Sequence, residues 1–442
     1  MRTWIKDPLA IFADGAERGL VVEGTRIAEG VGQGATPERI DATFDASEHV
    51  VLPGLVNTHH HFYQTLTRAH PSAINKPLFA WLTALYPIWA RLKPHQLRLA
   101  ARLALTELLL SGCTTAADHH YLYPEGLENA VDIEVEEARA LGMRMTVSRG
   151  SMNLSEKDGG LPPDSVVQDE ETILADSERV LKLFHDPKPG AQVRVALAPC
   201  SPFSISRELM SESARLAQRY DCQLHTHLCE TVDEERFCLK MYGLRPVDLL
   251  EETGWMSSRA WLAHGIHFNP QEITRLGKAG VGISHCAASN MVLASGICPT
   301  CELEAAGSAV GLGVDGSASN DSSNMMEALR HALMIGRLRY GADRVTHRDV
   351  LRWATQGSAR CLGRSDIGRI EAGYEADLAL FTLDEPRFSG AHDPLAALIL
   401  CGAHRADRVM IAGTWRVIDG LPVGLDLDAL IAEHTRASRD FT

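Results

Sequence analysis

The chain has 442 residues, 45% of them hydrophobic and 23% charged, with a net charge of −14. That is ordinary globular composition, long enough for a barrel of roughly 250 to 350 residues plus an accessory module. The acidic balance gives it no electrostatic reason to hold a nucleic-acid backbone or an anionic membrane surface, and suits a small-molecule partner.

Met1 to Ala10 contains no apolar run like a signal-peptide core. No stretch reaches the roughly 18 apolar residues of a membrane span. A cytoplasmic location is expected. Ten cysteines in a chain of this size do not make a disulfide framework. Several lie in apolar runs, where cysteine acts as a small hydrophobe. The single CxxC, Cys298-Pro-Thr-Cys301, fits a loop pair of ordinary thiols better than a zinc or redox pair.

Residues 1–52 contain strand-like runs such as Gly19–Val22, separated by turn glycines. Eight short apolar runs follow: Val51–Asn57, Thr114–His119, Arg144–Arg149, Val193–Pro199, Gln223–Leu228, Ala260–Gly265, Val281–Cys286 and Val310–Asp315. Continuous apolar runs are what strands buried on both faces look like. Segments of helical period lie between most of them, for example Gln96–Leu110 and Ser204–Tyr220. Eight alternations of strand and helix predict a parallel (β/α)8 barrel, here over 53–367. From 368 the strand-like character returns, in Gly368–Ile370, Ala376–Phe381, Arg408–Ala412 and Thr414–Ile418. Segments 1–52 and 368–442 are expected to pair into one small β-sandwich, with Leu425–His434 as a closing helix.

Polar groups of metal-ligand type end several of these runs. Pro53-Gly-Leu-Val-Asn-Thr-His59-His-His61 ends the first. Strand side chains alternate, so His59 and His61 face one way and can grip one ion. Gln223-Leu-His225-Thr-His227-Leu-Cys-Glu230 ends the fifth. His225 shares the parity of His227. The latter is preferred because it lies nearer the C-terminal end, where barrel chemistry sits. His264 ends the sixth run and Asp315 the eighth, and a charge at the end of an apolar strand is costly unless a cation or hydrogen bonds compensate.

These elements resemble the amidohydrolase superfamily, in its cytosine/guanine/S-adenosylhomocysteine deaminase and triazine hydrolase branch. The resemblance rests on His59/His61 after Pro53-Gly54, His227-Leu-Cys-Glu230, His264, Gly313-Val-Asp315-Gly316 and the tail Ile367-Gly-Arg-Ile-Glu-Ala-Gly373 to Leu378. Within the branch, Asn57–Arg68, Leu78–Trp89 and Asp118–Pro124 are most similar to the 8-oxoguanine deaminases. The resemblance implies one divalent ion held by His59, His61, His227 and Asp315, usually zinc, with iron or manganese as other occupants. Strand four, Val193–Cys200, has no lysine of the kind that bridges two metals.

The implied reaction is hydrolytic deamination, most naturally of 8-oxoguanine to urate and ammonia. Guanine, isocytosine or cytosine deamination and triazine hydrolysis are the alternatives, and a non-catalytic protein on the same fold is a further one. The ion would bring the pKa of water down to about 7. Asp315 would take that proton, Glu230 would protonate the ring nitrogen, and His264 would hold the attacking oxygen. Gln64, Trp81, Tyr123 and Cys200 are the candidate substrate contacts: an amide for an oxopurine edge, a ring to stack, and two pocket walls. Arg149 is a further pocket candidate, though an internal ion pair accounts for it equally. A homodimer or higher homo-oligomer is the default assembly.

Overall fold

The computed structural model describes residues 1–441. Its centre is eight parallel strands: β1 (Leu55–Asn57), β2 (Cys113–His120), β3 (Arg144–Ser151), β4 (Val193–Pro199), β5 (Gln223–Leu228), β6 (Ala260–His264), β7 (Gly282–His285) and β8 (Val310–Leu312). Each is hydrogen-bonded to the next in chain order. The N–H of Thr58 donates to the carbonyl of Leu312 at 3.0 Å, which joins the first strand to the last. The result is a TIM-like barrel with an outer ring of helices. Nearly every strand residue is buried, as parallel strands covered on both faces require.

The helices begin where the sequence supplies caps. Ser206 accepts from the N–H of Leu209 to start Arg207–Tyr220, and Asn269 with Glu272 forms a reciprocal capping pair for Pro270–Ala279.

The termini build two further sheets. Arg26–Gly30, Gly19–Glu23, Arg2–Lys6 and Ala42–Asp45 form a four-stranded one. The second has six strands in the order Leu421–Pro422, Thr414–Ile418, Arg408–Ile411, Leu378–Thr382, His49–Pro53, Ala10–Ile11. Both ends of the chain meet there, with Leu380 paired to Val51. Val51, Leu378 and Leu380 face a small core with Ile5, Leu20 and Val22. Their neighbours Val50, Leu52, Ala379 and Phe381 point the other way, into the main core around the barrel. The central strands His49–Pro53 and Leu378–Thr382 are thus buried on both faces, which is why they read as nearly unbroken apolar runs, while the outer strand Thr414–Ile418 stays partly exposed.

Three expectations need correction. The run Val51–Asn57 is two strands: His49–Pro53 belongs to the outer sheet and only Leu55–Asn57 to the barrel. Gly54 is the crossing point, where a Cβ would lie 2.2 Å from Thr114 Oγ1. Gly368–Ile370 is not a strand. Gly368 turns at φ +82°, and a Cβ there would lie 2.8 Å from the Thr355 carbonyl oxygen. The closing helix runs over Leu427–Phe441, longer than expected, because Ala437 and Phe441 are also buried. Its His434 Nε2 meets Thr65 Oγ1 at 3.0 Å, against the short helical turn Phe62–Thr67.

Candidate metal centre and active site

At the C-terminal mouth of the barrel, His59 and His61 follow β1, His227 lies in β5, His264 ends β6 and Asp315 follows β8. All five are buried. His61 Nε2 lies 3.2 Å from His227 Nε2, and Asp315 Oδ1 lies 3.3 Å from His59 Nε2 and 3.4 Å from His61 Nε2. Four ligands held tetrahedrally at about 2.1 Å from one zinc would sit about 3.4 Å apart.

The outer nitrogens fix which atoms face inward. His61 Nδ1–H donates to the His119 carbonyl at 2.8 Å, and His227 Nδ1–H to the Cys200 carbonyl at 2.7 Å. A carbonyl only accepts, so both Nε2 atoms carry lone pairs. His59 reaches the same state by relay. His225 Nδ1–H donates to the Trp261 carbonyl at 2.8 Å, which leaves His225 Nε2 to accept from His59 Nδ1–H, also at 2.8 Å. Burial holds His225 and His59 neutral, well below the usual imidazole range. His59 Nε2 is then a buried lone pair with no hydrogen-bond partner. Three inward lone pairs and a carboxylate at ligand spacing fit one divalent cation. His225 stands behind His59 rather than in the cluster.

Three residues here carry left-handed backbone without being glycine: Cys229 (φ 53°), His264 (φ 71°) and Asp315 (φ 69°). Such strain concentrates where side chains must be aimed. His264 Nδ1–H donates to Asn290 Oδ1 at 2.9 Å, turning Nε2 toward Glu230 Oε2 at 3.5 Å and Asp315 Oδ2 at 3.8 Å. Burial raises the Glu230 carboxyl above its ordinary value, against the pull of His264. Glycines make the close approaches possible. A Cβ on Gly313 would lie 2.7 Å from His59 Cβ, and one on Gly316 would lie 2.0 Å from Gln64 Oε1.

A narrow cavity opens over this cluster. Gln64, Trp81 and Cys200 line it together with Glu230, His264 and Asp315. The Trp81 indole N–H donates to the Ala318 carbonyl at 3.0 Å, so its ring is fixed at the wall. Burial pushes the Cys200 thiol up to about 12, so it is neutral. Tyr123 is not brought to the cavity. The Arg149 guanidinium covers its ring at 3.8 Å, and Arg149 itself pairs with Asp176 at 2.6 Å. The tyrosine at the wall is Tyr121, accompanied by Tyr86, Phe203, Leu293 and Ser319, none of them anticipated. Tyr121 continues the inward parity of His119 on β2, and that spacing was the available signal. Tyr86 follows Leu78 and Leu82 at helical spacing on the helix that carries Trp81, and that period was its signal, whereas Phe203, Leu293 and Ser319 lie outside any such pattern. Cys298 and Cys301 are both unpaired, as are the other eight cysteines.

Residues 50–416 match the amidohydrolase family. The chain is 64% identical over 441 residues to 8-oxoguanine deaminase of Pseudomonas aeruginosa, covering 99% of this chain and 98% of that one. It is 35% identical to isoxanthopterin deaminase from an unknown prokaryotic organism, covering 91% of this chain and 88% of the other. Among solved structures it superimposes on the atrazine chlorohydrolase of Arthrobacter aurescens TC1 complexed with zinc. The TM-score is 0.93 at 33% identity, covering 99% of this chain and 100% of that one.

Proposed function

The chain belongs to the amidohydrolase family, and on that premise we propose that it hydrolyses 8-oxoguanine to urate and ammonia at one zinc ion held by His59, His61, His227 and Asp315. The observation that carries this reading is the 64% identity, along almost the whole of both chains, to an 8-oxoguanine deaminase. Zinc is preferred over iron or manganese because the donor set is three imidazoles and one carboxylate at tetrahedral spacing, and because the similar hydrolase structure contains zinc. The ten unpaired cysteines suit a reducing cytoplasm.

When bound, the ion supplies the Lewis acidity that makes water a usable nucleophile at neutral pH. The rest of the chemistry falls to the chain. Asp315 Oδ2, turned toward His264, takes the proton that water gives up. Glu230, whose raised pKa keeps a proton available, protonates the ring nitrogen beside the amino-bearing carbon and so makes that carbon electrophilic. His264, fixed on Asn290, directs Nε2 at the attacking oxygen. The proton held on Asp315 then passes to the departing amine, which leaves as ammonia, and Glu230 recovers its own proton from the hydroxyl that becomes the product carbonyl. A Glu230→Gln variant with zinc retained is expected to lose about 10²- to 10⁴-fold in kcat, and near-normal turnover would remove it from this role.

Gln64 offers both donor and acceptor to an oxopurine edge, and Trp81 offers a flat face. The small neutral thiol of Cys200 leaves room for the C8 oxygen that distinguishes the substrate from guanine. The zinc-loaded protein, assayed for ammonia with 8-oxoguanine, guanine, isocytosine, cytosine and a chlorotriazine, should release it fast from the first and slowly from guanine. Cys200→His should narrow that preference. Chloride from the triazine with no ammonia from any aminated ring would overturn the deaminase reading.

A further inference from the structure

Glu234 is completely buried, and among the described residues no lysine or arginine pairs with it. It occupies the third position of the helix Val232–Tyr242, capped by Thr231, whose hydroxyl accepts from the Glu234 N–H at 3.3 Å. A glutamate here ordinarily reaches back to the N–H of the capping residue itself. Three other helices in this molecule do this with the residue at the same position: Glu272 accepts from the N–H of Asn269 at 2.7 Å, Asp349 from that of Thr346 at 2.9 Å, and Gln96 from that of Lys93 at 3.1 Å. Glu234 passes over Thr231. One carboxyl oxygen accepts from the N–H of Cys229 at 2.7 Å and the other from the N–H of Glu230 at 3.1 Å. Burial raises its carboxyl to about 8, with these two N–H donors pulling the other way.

The grip falls on the turn where aim matters most. Cys229 is in the left-handed region, and the chain bends there between His227 and Glu230. The Glu230 carboxyl has little else to hold it, since its contacts to Ser295 Oγ and His264 Nε2 are long, at 3.4 and 3.5 Å. Its position is therefore set from the backbone side.

We infer that Glu234 is a positioning residue for the proton-transfer step: by clamping two consecutive backbone N–H groups it fixes the turn that aims Glu230 over the metal centre. The inference rests on the role proposed for Glu230. It concerns kcat rather than binding, because neither the zinc donors nor the pocket wall includes Glu234.

The test compares wild type, Glu234→Ala and Glu234→Gln, each zinc-loaded, for zinc content, kcat and KM on 8-oxoguanine, and for exchange of the Cys229 and Glu230 amides. Glu234→Ala should keep one zinc and a KM within about threefold while kcat falls about 10- to 100-fold, the loss expected when a reacting group moves by an ångström or less. Glu234→Gln should be intermediate, because its one acceptor oxygen preserves one of the two bonds. Both amides should exchange faster in the alanine variant. Turnover of Glu234→Ala within about twofold of wild type would overturn the inference. So would loss of zinc or of the fold in both variants in step with activity, which would make the residue merely structural. Wild type releasing no ammonia from 8-oxoguanine would instead overturn the proposed function. The clamp would then stand or fall on amide exchange, with unchanged protection at Cys229 and Glu230 counting against it.

Discussion

Glu134 is wholly buried and neither of its carboxyl oxygens has a hydrogen-bond partner, yet Oε1 lies 3.2 Å from His120 Nδ1. Burial pushes Glu134 up to about 8 and His120 down to about 4. Because His120 Nε2–H donates to the Leu122 carbonyl at 2.7 Å, Glu134 at neutral pH presents a carboxylic acid to an imidazole lone pair, beside the buried Asp118 carboxyl, which burial and Glu134 also raise. The folded pKa of Glu134 lies above its unfolded value of 4.5. The folded state therefore holds the extra proton between those values, and that stability is lost as pH rises through about 8. Glutamine has no such proton. The stability of wild type relative to Glu134→Gln should fall from pH 4.5 to about 8, read as denaturation midpoints across that range. A flat difference would refute the assignment. At this scale the sequence was informative wherever a residue ended a strand. It offered both His225 and His227, and strand parity alone could not separate a residue in the cluster from one standing behind it. Tyr123 attracted notice by type, although the strand had already ended and the inward position belonged to Tyr121.

The barrel strands matter to the site less as hydrogen-bond ladders than as holders of carbonyls and rings in register. Trp261 on β6 lies opposite His225 on β5, and from there its carbonyl fixes the tautomer of a histidine that in turn fixes His59 beside β1. Replacing His225 with alanine removes the acceptor for His59 Nδ1–H and frees that ring to rotate. Zinc affinity, measured by competition with a chelator, should fall about 10- to 100-fold; unchanged affinity would show that the relay does not orient His59. The barrel strands were legible because most are apolar runs covered on both faces, and β2 and β5, which carry threonines and histidines, were marked by the ligand-type residues at their ends. That same uniformity concealed the change of sheet at Gly54, since His49–Pro53 and Leu55–Asn57 are equally apolar for different reasons. Gly368–Ile370 imitates a strand in composition, but its glycine turns the chain at positive φ and no strand forms there.

Across the whole molecule, the two ends of the chain are not an appendage. The buried guanidinium of Arg144, at the start of β3, binds Asp377 at 2.7 Å and Glu375 at 2.8 Å, both from the tail. The His49–Pro53 strand lies between Ala10–Ile11 and Leu378–Thr382, so either terminus alone leaves it half paired. Removing one partner of a buried ion pair costs about 3–5 kcal/mol, and the inner face of the six-stranded sheet shares its core with the barrel. Residues 53–367 expressed alone should therefore show no cooperative thermal transition. A sharp transition with bound zinc would prove the barrel autonomous. Sequence composition marked both terminal segments as β-rich and led to the expectation that they pair, but which strand meets which spans more than three hundred residues and no local pattern encodes it.

His227 is oriented by the carbonyl of Cys200, not by its thiol, which stays 3.9 Å away. Position 200 therefore has two separable duties: its main chain holds the proposed metal ligand His227, and its side chain forms part of the cavity wall. A mutation there can change what the cavity admits without disturbing what the metal centre needs. New substrate preferences thus lie within one codon change of a functional protein, and a saturation library at this single position would yield zinc-loaded catalysts that differ in selectivity.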